Sequence, residues 1–358
     1  MKKIAYIELD THAEIALNFM ELMNDSKAFS VDYYFSEKIL KTLGLQETDN
    51  IKKVSAENLL QKLSQYQIPN TKYDLVLIGT VHRYFNVFEK VAEKFNTSII
   101  CHNLNFVKAS NFDLLSSIFK EDFQYRLKLL LKEGLLRKSN VYKKAKNLLV
   151  LDRGFENFVR KPLVYAQPDK YTFLPIFYTK FSGKSENETY TIVIPGAVSQ
   201  KRRDYEGVLK SIIKFHFPLE IIFLGKAQGK ELEMLQNFEQ SKPENISIKY
   251  FTEKVPQDVF DGLMKKADIL WCPIQQETEF FSQKEIYGVT KMSGNIGDAI
   301  KFGKLAVFPK NYPSNYSFII SEKGSLGDFL FAKKDVDFSE FSKEKVLQEL
   351  EKTIFALL

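Results

Sequence analysis

The residues from 285 to 309, EIYGVTKMSGNIGDAIKFGKLAVFP, carry the clearest chemical signal in the chain. Ser293 and Gly294 open a short predicted helix, and Gly303 marks its end, where a left-handed residue is favoured. A buried strand is predicted at 305–308. The N-terminus of such a helix presents unpaired N–H groups and the positive end of a dipole, so it can bind a diphosphate. An ordinary crossover helix capped by Ser293 explains the pattern equally well.

Two charged side chains of this stretch have suitable chemistry for a nucleotide. Lys291 can pair with a phosphate group. Asp298 can accept hydrogen bonds from ribose hydroxyls, although it can also simply complement the helix dipole near the first turn. Both interpretations place polar groups at the helix N-terminus.

A second candidate phosphate site lies in the loop PGAVSQKRRD, which follows the predicted strand 190–194 and precedes a helix. Gly196 lets the backbone approach a ligand closely. Arg202 and Arg203 can clamp a diphosphate through charge-assisted hydrogen bonds. A solvated basic turn is the ordinary alternative. The next strand ends at Lys226, a weaker candidate for contact with phosphate or base.

Three of the four histidines, His12, His82 and His102, come directly after predicted strands of the first half. Because the carboxyl ends of parallel strands meet at one edge of a sheet, we expect all three on the same side. A histidine there can act as a general base or bind an anion, although loop histidines are often merely exposed. His12 is the preferred base, since the neighbouring Asp10 can orient and polarise its imidazole. Asn103 follows His102 in the same loop.

The elements that must position these residues alternate between strand and helix patterns, which indicates parallel sheets with helices on both faces. The predicted strands of the first half are 3–9, 29–35, 53–55, 73–79, 97–101, 147–151 and 172–177. Those of the second half are 190–194, 220–224, 246–251, 267–274 and 305–308. The polar stretch 179–189 between them is typical of a linker.

The length of 358 residues exceeds what one core usually serves, so two domains are expected. We predict an N-terminal Rossmann-like domain over 1–180 and a C-terminal one over 188–341. A final helix over 342–358 has no strand after it. Two such domains form a cleft, and ligands of open parallel sheets bind beyond the carboxyl ends of the strands.

Composition narrows the class of protein. Hydrophobic residues make up 44% of the chain and charged residues 27%, as in soluble globular proteins. The net charge of +6 suits anionic substrates or a membrane surface and is too weak to indicate nucleic acid. Cys101 and Cys272 lie in apolar runs and are expected in the core. The sequence shows no signal-peptide or membrane-span pattern, so we expect a cytoplasmic protein.

A helix-prone segment from Lys120 to Lys146 is rich in Lys, Arg and Leu. It can lie peripherally on the inner face of an anionic plasma membrane, or receive a lipid-linked acceptor. A long surface helix with snorkelling lysines is the alternative.

At two places the chain resembles the GT-B glycosyltransferases, especially the retaining enzymes of the family 4 (group 1) type that use nucleotide sugars. PGAVSQKRRDYEGVLKSI looks like the strand, glycine loop and basic helix opening of their C-terminal domain. EIYGVTKMSGNIGDAIKFGKLAVFP looks like their E-x-x-G, acidic-A-hydrophobic, x-x-G-K-hydrophobic-x-hydrophobic-x-P pattern. The resemblance implies an α/β GT-B fold, with two Rossmann-like parallel-sheet domains facing an interdomain cleft.

The resemblance also implies an activity, the transfer of a sugar from a nucleoside diphosphate donor to a hydroxyl of a glycan or glycolipid, as in cell-surface polysaccharide synthesis. Glu285 matches the glutamate near the transferred sugar, and His12 occupies the first N-domain loop, so both are catalytic candidates. The donor-binding candidates are Gly196, Arg202, Arg203, Lys226, Lys291, Ser293, Gly294, Asn295 and Asp298. The acceptor-side candidates are Asp10, His82, His102 and Asn103.

Two departures from the family pattern shape these expectations. The gap between Glu285 and Asp298 exceeds the usual two-glutamate spacing, so VTKMSGN is expected to reshape the sugar end of the pocket. The N-terminal domain also lacks an obvious glycine-rich first loop. We expect no obligatory metal and no cofactor besides the donor, with side-chain cations stabilising the leaving group.

Two alternative functions remain open. A nucleotide-sugar epimerase of the same fold would release a soluble product without an acceptor. A two-domain sugar-binding protein would take up free sugar and ignore nucleotides.

Overall fold

The computed structural model describes residues 1–65, 72–120, 122–155, 170–183, 187–322 and 336–358. Its first half is built around a seven-stranded parallel sheet in the order β3-β2-β1-β4-β5-β6-β7. The strands are β1 (Lys2–Glu8), β2 (Phe29–Phe35), β3 (Ile51–Lys53), β4 (Leu75–Ile78), β5 (Thr97–Ile100), β6 (Asn147–Val150) and β7 (Tyr171–Phe173).

Helices cover both faces of this sheet, which explains why its central strands are continuously apolar. In β1, Ala5 and Ile7 point into one hydrophobic core while Ile4 and Tyr6 point into another. The helices are α1 (Ala13–Met23), α2 (Glu37–Leu43), α3 (Ala56–Ser64), α4 (Phe85–Lys94), α5 (Leu104–Lys108), α6 (Asn111–Ser117), α7 (Phe123–Lys132) and α8 (Lys138–Lys144).

The second half contains a six-stranded parallel sheet in the order β10-β9-β8-β11-β14-β15. Its strands are β8 (Tyr190–Pro195), β9 (Leu219–Lys226), β10 (Ile246–Phe251), β11 (Ile269–Trp271), β14 (Ala306–Phe308) and β15 (Ile319–Ser321). Its helices are α9 (Tyr205–Ile212), α10 (Gly229–Ser241), α11 (Gln257–Lys266) and α12 (Gly294–Phe302). The predicted fold class, two Rossmann-like parallel sheets with helices, is confirmed.

The last helix, α13 (Lys343–Leu357), returns to the first half of the chain. Its buried face, Val346, Leu350, Ile354 and Leu357, packs into the core that contains α1. The two sheets lie on either side of the expected linker, of which residues 184–186 are outside the described part of the chain. The domain limits 1–180, 188–341 and 342–358 stay predictions.

One segment for which no strand is predicted forms an antiparallel hairpin. The polar run QQETEFFSQKE contains β12 (Glu277–Phe280) and β13 (Gln283–Ile286), which pair with each other and with no other strand of the described residues. Each strand has only four residues, too few for alternation to stand out from the surrounding polar sequence. The edge strand β15 is also absent from the sequence-based prediction.

The basic segment 120–146 is not one long helix. Gly134 adopts a left-handed φ of 73° after α7, and a 3₁₀ turn at Leu135–Arg137 leads into α8. Leu129 and Leu135 are fully buried, so these leucines serve the core. In the described part of the chain, no helix combines the length and apolar character needed to cross a bilayer.

Candidate active site

A cleft of about 1290 Å³ lies between the two sheets. Loops that follow β1, β4 and β5 line it from the first half, and loops that follow β8 and β11 line it from the second. Ten predicted site residues line this cleft: His12, His82, His102, Asn103, Arg202, Arg203, Lys291, Ser293, Gly294 and Asp298.

The other five predicted residues are not part of the lining. Lys226 is exposed at the end of β9, and its position gives no support to phosphate contact. The remaining four lie behind the lining and contact residues that form it: Asp10, Gly196, Glu285 and Asn295.

Gly196 makes room for the side chain of Arg203. It adopts a φ of 106°, and a Cβ atom there would lie 2.3 Å from Nη2 of Arg203. The guanidinium donates to the carbonyl oxygen of Ala197 at 3.2 Å and to Oδ1 of Asn295 at 3.3 Å. The glycine therefore supports a cation at the cleft, whereas the sequence suggested direct backbone contact with a ligand.

The N-terminus of α12 opens into the same corner of the cleft. Ser293 caps it by accepting from the backbone N–H of Asn295 at 3.3 Å, and Gly294 is exposed. The buried Asn295 side chain donates to Oδ2 of Asp298 at 3.1 Å. Burial raises the pKa of Asp298 to about 6, even though this hydrogen bond favours the ionised form. Helix end, arginine and carboxylate are thus brought together.

The expected pairing of Asp10 with His12 is wrong. Asp10 accepts from Nε2 of His82 at 3.0 Å and from Nζ of Lys38 at 2.9 Å. The hydrogen bond from His82 is the main cause that lowers the pKa of Asp10. His12 adopts a left-handed φ of 57° and instead donates from Nδ1 to Glu14 at 3.1 Å. The two side chains have different partners although only Thr11 separates them, so sequence proximity misled the prediction.

His12 and His102 stack in the cleft with ring centroids 3.9 Å apart and planes inclined by 13°. His102 donates from Nε2 to the carbonyl oxygen of Gly79 at 2.8 Å, which fixes its tautomer. Burial lowers the pKa of His102 well below its usual value, and the nearby His12 lowers it further. A neutral His102 therefore supports the imidazole of His12.

No protein-family model and no curated protein sequence matches the chain. Solved structures do match. The Anabaena protein HepE in complex with UDP aligns with a TM-score of 0.60 at 9% identity, over 99% of this chain and 100% of that one. The lipopolysaccharide outer core galactosyltransferase WaaB, in its apo form, aligns with a TM-score of 0.57 at 11% identity, over 99% of this chain and 100% of that one. The UDP-GlcNAc 2-epimerase from Neisseria meningitidis, bound to UDP-GlcNAc, aligns with a TM-score of 0.54 at 10% identity, over 99% of this chain and 100% of that one.

The chain has the GT-B fold. At these identities the likeness establishes the architecture, and the chemistry has to be argued from the residues of the cleft.

Glu8, which was not predicted from the sequence, lies behind the lining of the GT-B cleft and contacts two residues that form it. It ends β1, is 1% exposed, and accepts from Oγ1 of Thr80 at 2.7 Å. Its other oxygen accepts from the backbone N–H groups of Asp10 and Thr11 at 3.2 and 3.3 Å. Burial raises the pKa of Glu8 to about 7. The sequence signal that could have predicted this residue is a carboxylate at the end of an apolar strand, as in IAYIELD.

Lys291 joins the two halves of the GT-B fold across the cleft. Its ammonium donates to Oδ1 of Asn103, and the next residue back, Thr290, accepts from the backbone N–H of Leu104 at 2.9 Å. Burial lowers the pKa of Lys291 to about 8, although the nearby Glu285 opposes this shift. Within the described ranges, no group of three His, Cys, Asp or Glu side chains is arranged to hold a metal ion.

Glu285 is fully buried and faces α5, with no contact to the open cleft. Its carboxylate accepts from the backbone N–H groups of Phe106 at 2.9 Å and Asn105 at 3.3 Å. Burial raises its pKa, and a hydrogen bond with Thr290 opposes that shift. The catalytic role that the resemblance implied for Glu285 stays a prediction, while the contacts describe a helix cap.

Proposed function

We propose that the chain transfers a sugar from a nucleoside diphosphate donor to a hydroxyl of a glycan or glycolipid. The observation that carries this proposal is the meeting of Arg203, from the loop after β8, with Asn295 in the first turn of α12. A guanidinium and a helix N-terminus converge there on one side of the cleft. Both favour negative charge, so the corner suits a diphosphate.

The cations of the cleft can stabilise the diphosphate as it leaves. Arg202 and Arg203 lie at the α12 end, and the Arg202 charge contributes to lowering the pKa of Lys291. Positive groups placed before the reaction stabilise developing negative charge without reorganisation. This arrangement is expected to work without a metal, which predicts that transfer survives treatment with EDTA.

His12 is the candidate base for an acceptor hydroxyl. Glu14 holds its Nδ1, so Nε2 remains available to accept a proton on the cleft side. His102 stacks against its ring and restricts its orientation. Acceptor-side contacts are assigned to His82 and Asn103, with Asp10 holding His82 from behind.

Calorimetric titration with UDP, GDP, TDP and CMP tests the donor site, and UDP comes first because HepE was solved with UDP. Arg203→Ala is expected to weaken the preferred nucleotide by about 10- to 100-fold, the worth of a charge-assisted hydrogen bond. Lys201→Ala is the matched control, since Lys201 is exposed on the same loop and outside the cleft lining. Absence of binding by all four nucleotides would refute the donor site.

An epimerase is the second candidate, because one structural neighbour is a UDP-GlcNAc 2-epimerase and two histidines stack in this cleft. The two activities separate cleanly in solution. An epimerase converts the nucleotide sugar alone into an isomer, whereas a transferase releases the nucleotide only when an acceptor is present.

We also propose that the segment formed by residues 112–120 and 122–136 rests on an anionic membrane surface that carries the acceptor. Ten large apolar side chains are exposed in the described chain, and seven of them lie in this segment. The Phe119 and Phe123 rings stack at 5.8 Å, and both are exposed. Exposed lysines flank them: Lys108, Lys120, Lys128 and Lys132. Aromatic rings with surrounding lysines suit the interface of a negatively charged bilayer.

Flotation with phosphatidylglycerol vesicles tests this surface. The double variant Phe119→Ser/Phe123→Ser is expected to lose vesicle binding, while Ile213→Ser, which changes an exposed apolar residue elsewhere, keeps it. Equal flotation of both variants would refute the assignment of this surface. If the protein bound only neutral vesicles and no phosphatidylglycerol vesicles, the role of the lysines would be refuted.

A further inference from the structure

The β12–β13 hairpin belongs to the second half of the chain but is docked on the first half. Nδ2 of Asn105, in α5, donates to the carbonyl oxygen of Lys284 at 2.7 Å. The Phe106 ring of the same helix lies 5.0 Å from the ring of Phe280 and 5.8 Å from that of Phe281. The hairpin is therefore fixed across one side of the cleft.

The turn of this hairpin is strained and is held by its contacts. Phe281 and Ser282 adopt φ values of 56° and 55°, a left-handed pair for which Asn-Gly is the usual sequence. Arg126, buried in α7, donates to Oγ of Ser282 at 2.7 Å, and its guanidinium lies 4.8 Å from the Phe281 ring. Backbone strain of this kind persists where surrounding structure imposes it, often beside a functional site.

Docking brings the Phe280 ring to the wall of the cleft. Phe280 is half-buried, packs against Phe106 on its docked side and lines the cleft. The His82 ring stands nearly perpendicular to it at 6.2 Å, and Nζ of Lys291 lies 5.9 Å from its centroid. An aromatic ring is thus surrounded by groups that can hydrogen-bond.

This combination has the chemistry of a sugar subsite. A pyranose ring has an apolar C–H face, which suits an aromatic ring, and a rim of hydroxyls, which needs fixed donors and acceptors. Asn103 and His82 are held in place by Lys291 and Asp10, and Glu279 lines the cleft beside them. A rigid hairpin holds the ring in position before the ligand arrives, which lowers the entropic cost of binding.

We propose that Phe280 is a platform on which a pyranose ring of the acceptor stacks, so that the docked hairpin determines acceptor specificity. This inference rests on the proposed glycosyl transfer, because it assigns the acceptor side of the same cleft. A nucleobase can also stack on a phenyl ring, and the experiment separates the two ligands.

Saturation-transfer NMR with methyl glycosides of glucose, galactose and N-acetylglucosamine tests the platform, on wild type, Phe280→Leu and Phe355→Leu. Phe280→Leu keeps the apolar volume and removes the ring face. Phe355→Leu is the matched control, since it makes the same change at an exposed position outside the cleft lining. UDP binding is measured on the same samples.

The expected result is binding of at least one glycoside that Phe280→Leu weakens about tenfold and Phe355→Leu leaves unchanged, with UDP affinity unaffected. No glycoside bound by wild type, or equal binding by Phe280→Leu, would overturn the platform. A loss of UDP affinity in Phe280→Leu would assign the ring to the nucleotide and also overturn it. If wild type binds no glycoside but does bind UDP, the platform is refuted while the proposed donor site is supported.

Discussion

Glu285 and Lys138 cap opposite ends of the five-residue helix α5, although they come from different halves of the chain. Glu285 accepts from the two N–H groups at its start. Lys138, fully buried in α8, donates to three carbonyl oxygens at its end over 2.6–3.0 Å. Each charge lies at the end of the helix that favours it. The loop that presents His102 and Asn103 leads directly into this helix, so the two caps position part of the cleft.

Glu285→Gln tests the cap from the second half. Glutamine keeps one acceptor oxygen but turns an amide toward a backbone N–H, so the free energy of unfolding should fall by about 1–3 kcal/mol. Hydrogen exchange at the amides of Asn105 and Phe106 should accelerate. Glu277→Gln on the same hairpin breaks only an exposed ion pair with Lys284 and should change little. Unchanged exchange in α5 would contradict the assigned contact.

Lys138→Met tests the opposite cap. The substitution leaves three buried carbonyl oxygens without their donor, and we expect urea unfolding to show a loss of about 3 kcal/mol. Lys128→Met, at an exposed position of α7, is the control. Because both caps act on one helix, the double variant with Glu285→Gln should lose less than the sum of the two single changes. Simple additivity would mean that the caps are independent.

Glu8 predicts a pH dependence of stability. Its pKa in the folded protein is raised to about 7 from an ordinary value of 4.5, so the folded state binds more protons between those limits. The contribution of Glu8 to the free energy of unfolding is therefore complete below pH 4.5 and is lost as the pH rises through 7. Relative to Glu8→Gln, the wild type should lose about 3 kcal/mol between pH 4.5 and pH 8. Urea unfolding across this range measures it, and Glu233→Gln, at an exposed position, should show no such trend.

Gly196→Ala is expected to weaken nucleotide binding without touching any ligand contact. A methyl group at φ 106° is strained and collides with the guanidinium of Arg203, which must move. We expect a stability loss of about 2 kcal/mol and a nucleotide affinity approaching that of Arg203→Ala. Gly262→Ala, in a helix with open space around it, is the control. Unchanged affinity in calorimetry would show that Arg203 does not bind the donor.

His12→Asn tests the proposed base, and asparagine is chosen because it tolerates the left-handed backbone at this position. Loss of general base catalysis should lower kcat by about 10²- to 10⁴-fold, while nucleotide affinity changes little. Acceptor-dependent nucleotide release is the measurement. His216→Asn, at a position outside the cleft lining, is the control. A KM effect with normal kcat would make His12 a binding residue.

Strand and helix alternation was sufficient to predict both sheets apart from the edge strand β15, because buried parallel strands such as β4 are continuous apolar runs. It also predicted which loops reach the cleft. It failed for the side chains behind the lining: Asp10 pairs with a residue 72 positions away, and Glu285 with a helix about 180 positions away. Such pairings depend on how two elements pack, which local periodicity does not encode.

The fit between Gly196 and Arg203 has a consequence for the evolution of this protein. An arginine at 203 can lie against the loop only while position 196 lacks a side chain, whereas the φ of 106° is a separate reason for the glycine to persist. Selection for the arginine therefore also acts on the glycine, and we expect homologous sequences that keep Arg203 to keep Gly196 as well. A lineage that keeps the arginine beside a residue with a side chain at 196 would contradict this dependence.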